Sequence, residues 1–156
     1  MKLIIGLGNP GENNKNNRHN VGKMVINKLK TNIKSKYIII KEPDVYMNDS
    51  GSFVLKQLTG YKLNAQNLYI IHDDLDIHLG EYKIQFGKGP KDNNGINDIE
   101  DKLKTIDFWR VRVGVDNREP ENRTLGEKYV LEDFTNQEKI VLEKVIDEIC
   151  KKLVII

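Results

Sequence analysis

One histidine, one aspartate and several asparagines stand where a hydrolytic site could form. Asn9 follows the first predicted strand, His19 precedes the first predicted helix, and Asp73 lies at the end of another predicted strand. A neutral histidine can take a proton from water, a carboxylate can orient the imidazole ring, and side-chain amides can donate hydrogen bonds to a developing oxyanion. These residue types suit the attack of water on an activated acyl group. No Gly-x-Ser-x-Gly motif for a covalent nucleophile occurs in the chain.

Strands and helices alternate along the chain, and this alternation predicts how those residues come together. It is typical of a three-layer α/β domain, and the length of 156 residues favours a single domain over residues 1–156. Open α/β sheets collect functional residues at the carboxyl ends of their strands. Hydrophobic patterning predicts strands at residues 2–7, 37–41, 67–74, 81–87 and 108–115, and helices at 20–30, 49–60, 93–103 and 135–153.

Polar residues that favour helix starts support these boundaries. Asn20 is predicted to be the N-cap of the first helix, and Asp49 or Ser50 that of the second. Thr135 and Glu138 form a capping-box pattern at the start of the last helix.

The stretch GLGNPG, residues 6–11, matches the Gly-x-Gly-x-x-Gly pattern of dinucleotide-binding folds. Those folds begin a helix within the motif and place an acidic residue about 20 positions later. Here the polar run ENNKNNRHN follows Gly11, and no Asp or Glu lies between Glu12 and Glu42. No Lys-Ser/Thr pair follows either, as a P-loop requires. The absence of these features argues against NAD binding, and we interpret the stretch GLGNPG as a tight turn that projects Asn9.

Charge and composition limit the possible partners. The net charge of +2 permits a polyanionic partner only if basic residues share one face, and alternation in FWRVRVGV places Arg110 and Arg112 on one side of a strand. Cys150 is the only cysteine, so neither an intrachain disulfide nor a cysteine-built metal site is possible. No apolar run approaches the ~20 residues of a membrane span, and no signal peptide is evident. These features predict a cytoplasmic protein without a membrane partner.

Each candidate residue also admits an ordinary structural interpretation. His19 in a polar loop could be a surface histidine, and Asp73 with Asp74 could simply end a strand. His72 follows an apolar run, which predicts a packed interior histidine, and His78 is predicted to lie in a turn. The residues alone therefore predict an α/β hydrolase or transferase without a metal, and nothing narrower.

Six short strings occur in the order and spacing found in bacterial-type peptidyl-tRNA hydrolases. They are IIGLGNPG, RHNVG, YMNDSG, HDDLDIHLG, NNGINDI and FWRVRVGV, and the resemblance runs from about residue 2 to about residue 134. The chain resembles a divergent and shortened member of that family. The resemblance implies a twisted, mixed, mostly parallel sheet flanked by helices, and hydrolysis of the ester between a peptide and the 3′ ribose of tRNA. It further implies a monomer that needs no metal or other cofactor.

The same resemblance assigns roles to individual residues. It implies that His19 is the catalytic base, that Asp73 orients it, and that Asn9 positions the ester or supports the oxyanion. It assigns Asn48 and Asn94 to substrate binding. The remaining implied contacts are the peptide-side cleft at Met47 and tRNA at Arg112, with Lys83 or Arg110 assisting.

Several positions depart from the family pattern. Asn93 stands where the family has histidine, Lys91 and Asp92 replace glycines, and Gln85 replaces the second residue of a basic pair. The segment between residues 29 and 37 is short, as if a strand pair were missing. These changes leave open an alternative function, a non-hydrolytic RNA-binding relative of the same fold. Retention of the histidine, aspartate and asparagine set favours the hydrolase.

Overall fold

The computed structural model describes residues 1–121 and 123–155. It contains a five-stranded sheet in the order β2-β1-β3-β5-β4. All neighbouring strands are parallel except β4, which runs antiparallel to β5. This confirms the predicted mixed, mostly parallel sheet. The strands are β1 (Lys2–Gly6), β2 (Ile38–Lys41), β3 (Leu68–His78), β4 (Tyr82–Phe86) and β5 (Trp109–Asp116).

Helices cover both faces of the sheet, as the three-layer prediction requires. Two of them pack with one hydrophobic cluster and two with the other, so each face of the sheet has its own core. The helices over the first face are α1 (Val21–Asn32) and α5 (Asn136–Ile155), those over the second are α2 (Ser50–Tyr61) and α3 (Asn94–Leu103), and a short α4 (Gly126–Tyr129) precedes α5.

The side-chain pattern of each strand follows its place in the sheet. In β1, Leu3 and Ile5 enter the core under α2 and α3, whereas Ile4 enters the core under α1 and α5. A central strand that is buried on both faces must be apolar throughout, and this explains the continuous apolar run of β1. In β5, Val111 and Val113 join the α1–α5 core, and Arg110 and Arg112, which alternate with them, lie on the opposite face, as predicted.

Close packing of α1 on the sheet sets the position of the residues before that helix. A Cβ atom at Gly22 would overlap the carbonyl oxygen of Ile71 and the amide of Leu7. Only glycine lets the first turn of α1 rest directly on the ends of β1 and β3. The residues just before α1, among them His19, are thereby brought to the carboxyl edge of the sheet.

The structure differs from the predicted boundaries mainly beyond β3. That strand continues to His78, although the prediction ends it at residue 74, and its pairing with β5 shifts register between Asp74 and His78. The helix α4 was not predicted, because four residues carry too little periodicity. Within residues 1–121 and 123–155, no helix combines the length and apolar character that a membrane crossing demands.

Candidate active site

A cleft of about 850 Å³ opens at the carboxyl ends of β1 and β3. Its walls come from the loop after β1, from the carboxyl-terminal half of β3, from the turn before α2, from the loop before α3 and the first residue of that helix, and from α4 with the residues after it. The structure therefore gathers into one cleft six of the residues predicted to act in catalysis or substrate binding, namely Asn9, His19, Met47, Asn48, Asp73 and Asn94.

His19 and Asp73 form a hydrogen-bonded pair in this cleft. The imidazole Nδ1 lies 2.8 Å from Oδ2 of Asp73, and the two side chains are 11% and 3% exposed. A carboxylate can only accept, so the proton of the neutral ring lies on Nδ1 and the lone pair on Nε2. Burial lowers the pKa of His19, but the charge and hydrogen bond of Asp73 outweigh it and raise that pKa above its ordinary value.

Asn9 is held by both its main chain and its side chain. Its Oδ1 accepts a hydrogen bond of 2.8 Å from the main-chain N–H of Met47. This bond fixes the orientation of the amide, so Nδ2 remains as a donor in the cleft. Asn20 bonds to both the N–H and the carbonyl of Asn9, each at 2.8 Å. Gly8 leaves the space for the Asn20 side chain, since a Cβ there would lie 2.9 Å from it.

Asn20 thus has a different role from the predicted one. It occupies the N-cap position of α1 but makes no side-chain cap bond there. Its side chain spans the loop to hold Asn9 instead. Sequence reasoning missed this role because a contact across a loop has no short-range signal.

Asn93 is a second missed residue. Its side-chain Oδ1 accepts from the N–H groups of Gly95 and Ile96, at 3.0 and 3.1 Å, and so caps α3. Its Nδ2 donates to the carbonyl and to Oδ1 of Asp73, at 3.1 and 3.2 Å. Asn93 therefore ties the start of α3, which carries Asn94, to the carboxylate that bonds to His19.

The other cleft residues differ in exposure. Met47 begins a short 3-10 turn before α2 and is only 2% exposed, so its side chain forms part of the wall and of the core behind it. Asn48 and Asn94 are exposed, with their carboxamides accessible from the cleft.

His72, predicted to be a packed residue, is fully buried and donates from Nδ1 to the carbonyl of Asp73. Burial lowers the pKa of His72.

The three basic residues assigned to tRNA share one face of the sheet but not one environment. Arg112 bonds to Asp74 Oδ2 at 2.7 Å through Nε and to Gln85 Oε1 at 2.8 Å through Nη1. Lys83 is exposed and is the strand neighbour of Arg112. Arg110 is only 1% exposed, because its guanidinium pairs with Glu100 and donates to the carbonyls of residues 106 and 108. The structure does not bring Arg110 to a surface that RNA could reach.

Comparison with known proteins places the chain in a family. The family model for peptidyl-tRNA hydrolase matches residues 3–156. The peptidyl-tRNA hydrolase of Sulfurihydrogenibium sp. (strain YO3AOP1) is 38% identical, over 94% of this chain and 85% of that protein. That of Mycoplasmopsis synoviae (strain 53) is 38% identical, over 95% and 85%. The crystal structure of peptidyl-tRNA hydrolase from Acinetobacter baumannii has a TM-score of 0.85 at 27% identity and covers 97% of this chain and 86% of that one. The chain belongs to the peptidyl-tRNA hydrolase family.

Proposed function

We propose that this protein hydrolyses the ester that joins a peptide to the 3′ ribose of tRNA, and so returns the tRNA for reuse. The observation that carries the proposal is the His19–Asp73 pair in the cleft, with Nδ1 and Oδ2 2.8 Å apart. This pair leaves Nε2 as a base, and an ester is reactive enough for water to attack it directly. We further propose that the enzyme acts in the cytoplasm as a monomer without a cofactor.

In the proposed reaction His19 takes one proton from water and later gives it to the leaving ribose oxygen. His19 Nε2 takes a proton from water while the water oxygen bonds to the ester carbonyl carbon, and Asp73 stabilises the resulting imidazolium. The carbonyl oxygen gains negative charge, and Asn9 Nδ2 donates a hydrogen bond to it. The bond to the ribose oxygen then breaks, and that oxygen receives the proton from Nε2. No covalent enzyme intermediate is needed.

The exposed carboxamides of Asn48 and Asn94 bind the polar groups next to the scissile bond in this proposal. Met47 forms the wall on the peptide side. Both carboxamides can donate and accept without adding a charge, which suits an uncharged ester and ribose.

The function is tested by peptide release from N-blocked aminoacyl-tRNA. We expect the purified protein to release the blocked amino acid with turnover and with equal rates in the presence and absence of EDTA. Salt-dependent binding of tRNA with no release would instead favour the non-hydrolytic RNA-binding alternative.

The donor role of Asn9 is tested by the isosteric change Asn9→Asp. One carboxylate oxygen keeps the bond from the Met47 N–H, but the other oxygen replaces the Nδ2 donor and repels the oxyanion. We expect kcat to fall by about 10²–10³-fold with little change in KM, measured in the release assay. The exposed Asn27→Asp on α1 adds the same charge outside the cleft and serves as the control. Equal kcat in Asn9→Asp and wild type would contradict the role.

We propose that Lys83 and Arg112 contact the tRNA backbone. Asp74 offsets the charge of Arg112, so the exposed Lys83 contributes more of the net attraction. Replacing either with alanine is expected to weaken tRNA binding and to reduce the slope of log Kd against log salt by about 0.7–0.9 per lost phosphate contact. Titrations at several salt concentrations measure this slope. Lys144→Ala, exposed on α5 across the sheet, is the control, and an equal slope in all variants would count against the placement.

A further inference from the structure

The turn that carries His19 is docked on a distant segment of the chain, residues 130–134, which we call the docking segment. The N–H of His19 donates to the carbonyl of Val130 at 2.8 Å, and the N–H of Arg18 donates to that of Glu132 at 3.1 Å. In return the N–H of Phe134 donates to the carbonyl of Asn16 at 3.1 Å. The place of the imidazole therefore depends on where the docking segment lies.

Arg18 adds a buried ionic contact to this docking. Its Nη2 lies 2.8 Å from Oε1 of Glu138, and the two side chains are 6% and 5% exposed. Its Nη1 donates to the carbonyls of Tyr129 and Glu132 at 3.2 and 3.3 Å. The guanidinium also lies over the Tyr129 ring, 3.8 Å from its centroid. One side chain thus joins α4, the docking segment and the start of α5.

Glu138 in turn is fully occupied by partners. Oε1 also accepts from the N–H of Thr135 at 2.8 Å, and the N–H of Glu138 donates to the Thr135 hydroxyl at 3.1 Å. This is the capping box predicted from the sequence. Oε2 accepts from Nδ2 of Asn117 at 3.1 Å. A carboxylate buried this deeply is retained only when paired and hydrogen-bonded, yet capping alone would not require it to face Arg18.

We propose that Glu138 is a positioning residue of the proposed hydrolase. Through its ion pair with Arg18 it fixes the turn before α1, and so it holds Nδ1 of His19 at bonding distance from Asp73. The proposal rests on the proposed function. It gives the last helix a role in catalysis, although Glu138 itself does not touch the substrate.

The change Glu138→Gln removes the negative charge of this side chain. Glutamine keeps one carbonyl oxygen for the capping box, but it places an amino group opposite Nδ2 of Asn117 and leaves the more exposed Glu132, 3.8 Å away, as the remaining counter-charge of Arg18. We expect kcat to fall on the order of 10²-fold, as a displacement of about 1 Å in a catalytic group can cause. We expect KM to stay within about twofold of wild type, since the substrate-contacting residues are untouched.

Two controls separate positioning from stability. Thr135→Ala removes the capping hydroxyl from the same helix start and leaves the ion pair; it is expected to lower Tm and to keep kcat. Glu132→Gln removes the more exposed carboxylate, whose Oε2 lies 3.8 Å from Arg18 Nη1, and is also expected to keep kcat. A folded Glu138→Gln variant with the kcat of wild type would overturn the proposal.

A second variant covers the case in which Glu138→Gln fails to fold. Arg18→Met with Glu138→Leu replaces the ion pair by an apolar pair, a change that often preserves stability. We expect a folded protein with reduced kcat; recovery of wild-type kcat would mean that the pair acts on stability alone.

A measurement without substrate keeps the two proposals distinguishable. The proton between His19 Nδ1 and Asp73 can be followed by NMR, and we expect its signal in wild type and in Thr135→Ala but not in Glu138→Gln. An inactive wild type would contradict the proposed function, and the NMR comparison would still decide the role of Glu138.

Discussion

Replacing His19 with alanine is expected to lower kcat by about 10²–10⁴-fold, the range that a general base contributes. The change removes the imidazole that lines the cleft and leaves the Asp73 carboxylate in place. KM should change little, because the proposed substrate contacts of Asn48 and Asn94 are left in place. Single-turnover and steady-state release of the blocked amino acid measure both quantities.

The matched control is His78→Ala. His78 is exposed and does not line the cleft, so its removal should leave kcat unchanged. If wild type and His19→Ala cleave at the same rate while both are folded, the assignment of the base is wrong.

The second large effect is expected for Asp73→Asn, because this change favours the His19 tautomer that carries its proton on Nε2. Asn93 caps α3 with its oxygen, so its Nδ2 must face residue 73 and needs an acceptor there. Asparagine at position 73 would turn its oxygen toward Asn93 and its amino group toward Nδ1 of His19. Nδ1 must then accept, the ring proton moves to Nε2, and the base is lost. An Asp-to-Asn change beside a catalytic histidine has cost up to about 10⁴-fold in kcat.

The pH profile of kcat/KM in the same variant tests the effect of Asp73 on the pKa of His19. In wild type Asp73 raises the pKa of His19, so the neutral base is lost as pH falls through that raised value. Without the Asp73 charge, burial is left to lower the pKa, and the acidic limb of kcat/KM should move to lower pH. Asp74→Asn is the control, since Asp74 pairs with Arg112 and should leave the limb where it is. An unmoved limb in Asp73→Asn would contradict the pairing.

The sequence predicted the fold where local patterning decides it. Continuous apolar runs in β1 and β3, alternation in β5, and the Thr135–Glu138 capping box are all signals within a few residues, and the structure has each of them. Asn9, His19 and Asp73 were predicted together because the carboxyl ends of parallel strands meet at one edge, and the resemblance to the family added Met47, Asn48 and Asn94. Their gathering in one cleft is therefore a consequence of topology.

The supporting contacts escaped prediction because they join distant parts of the chain. Asn20 was predicted to cap a helix but bonds to Asn9, and Asn93 was predicted to begin a helix but also bonds to Asp73. The alternation that placed Arg110 and Arg112 on one face could not tell that Glu100 would cover the first. In each case the partner is chosen by tertiary packing, which no local pattern encodes.

The docking of the His19 turn also determines when the catalytic centre can exist during synthesis. Arg18 and Glu138 are 120 residues apart, so the ribosome makes the base long before it makes the segment that holds the base in place. Domains fold as units once their parts have emerged. A nascent chain of this protein is itself a peptidyl-tRNA. We expect it to lack an assembled hydrolytic centre until the docking segment and Glu138 have emerged from the ribosome. The order of synthesis thus delays the proposed activity until Glu138 and its neighbours can dock on the His19 turn.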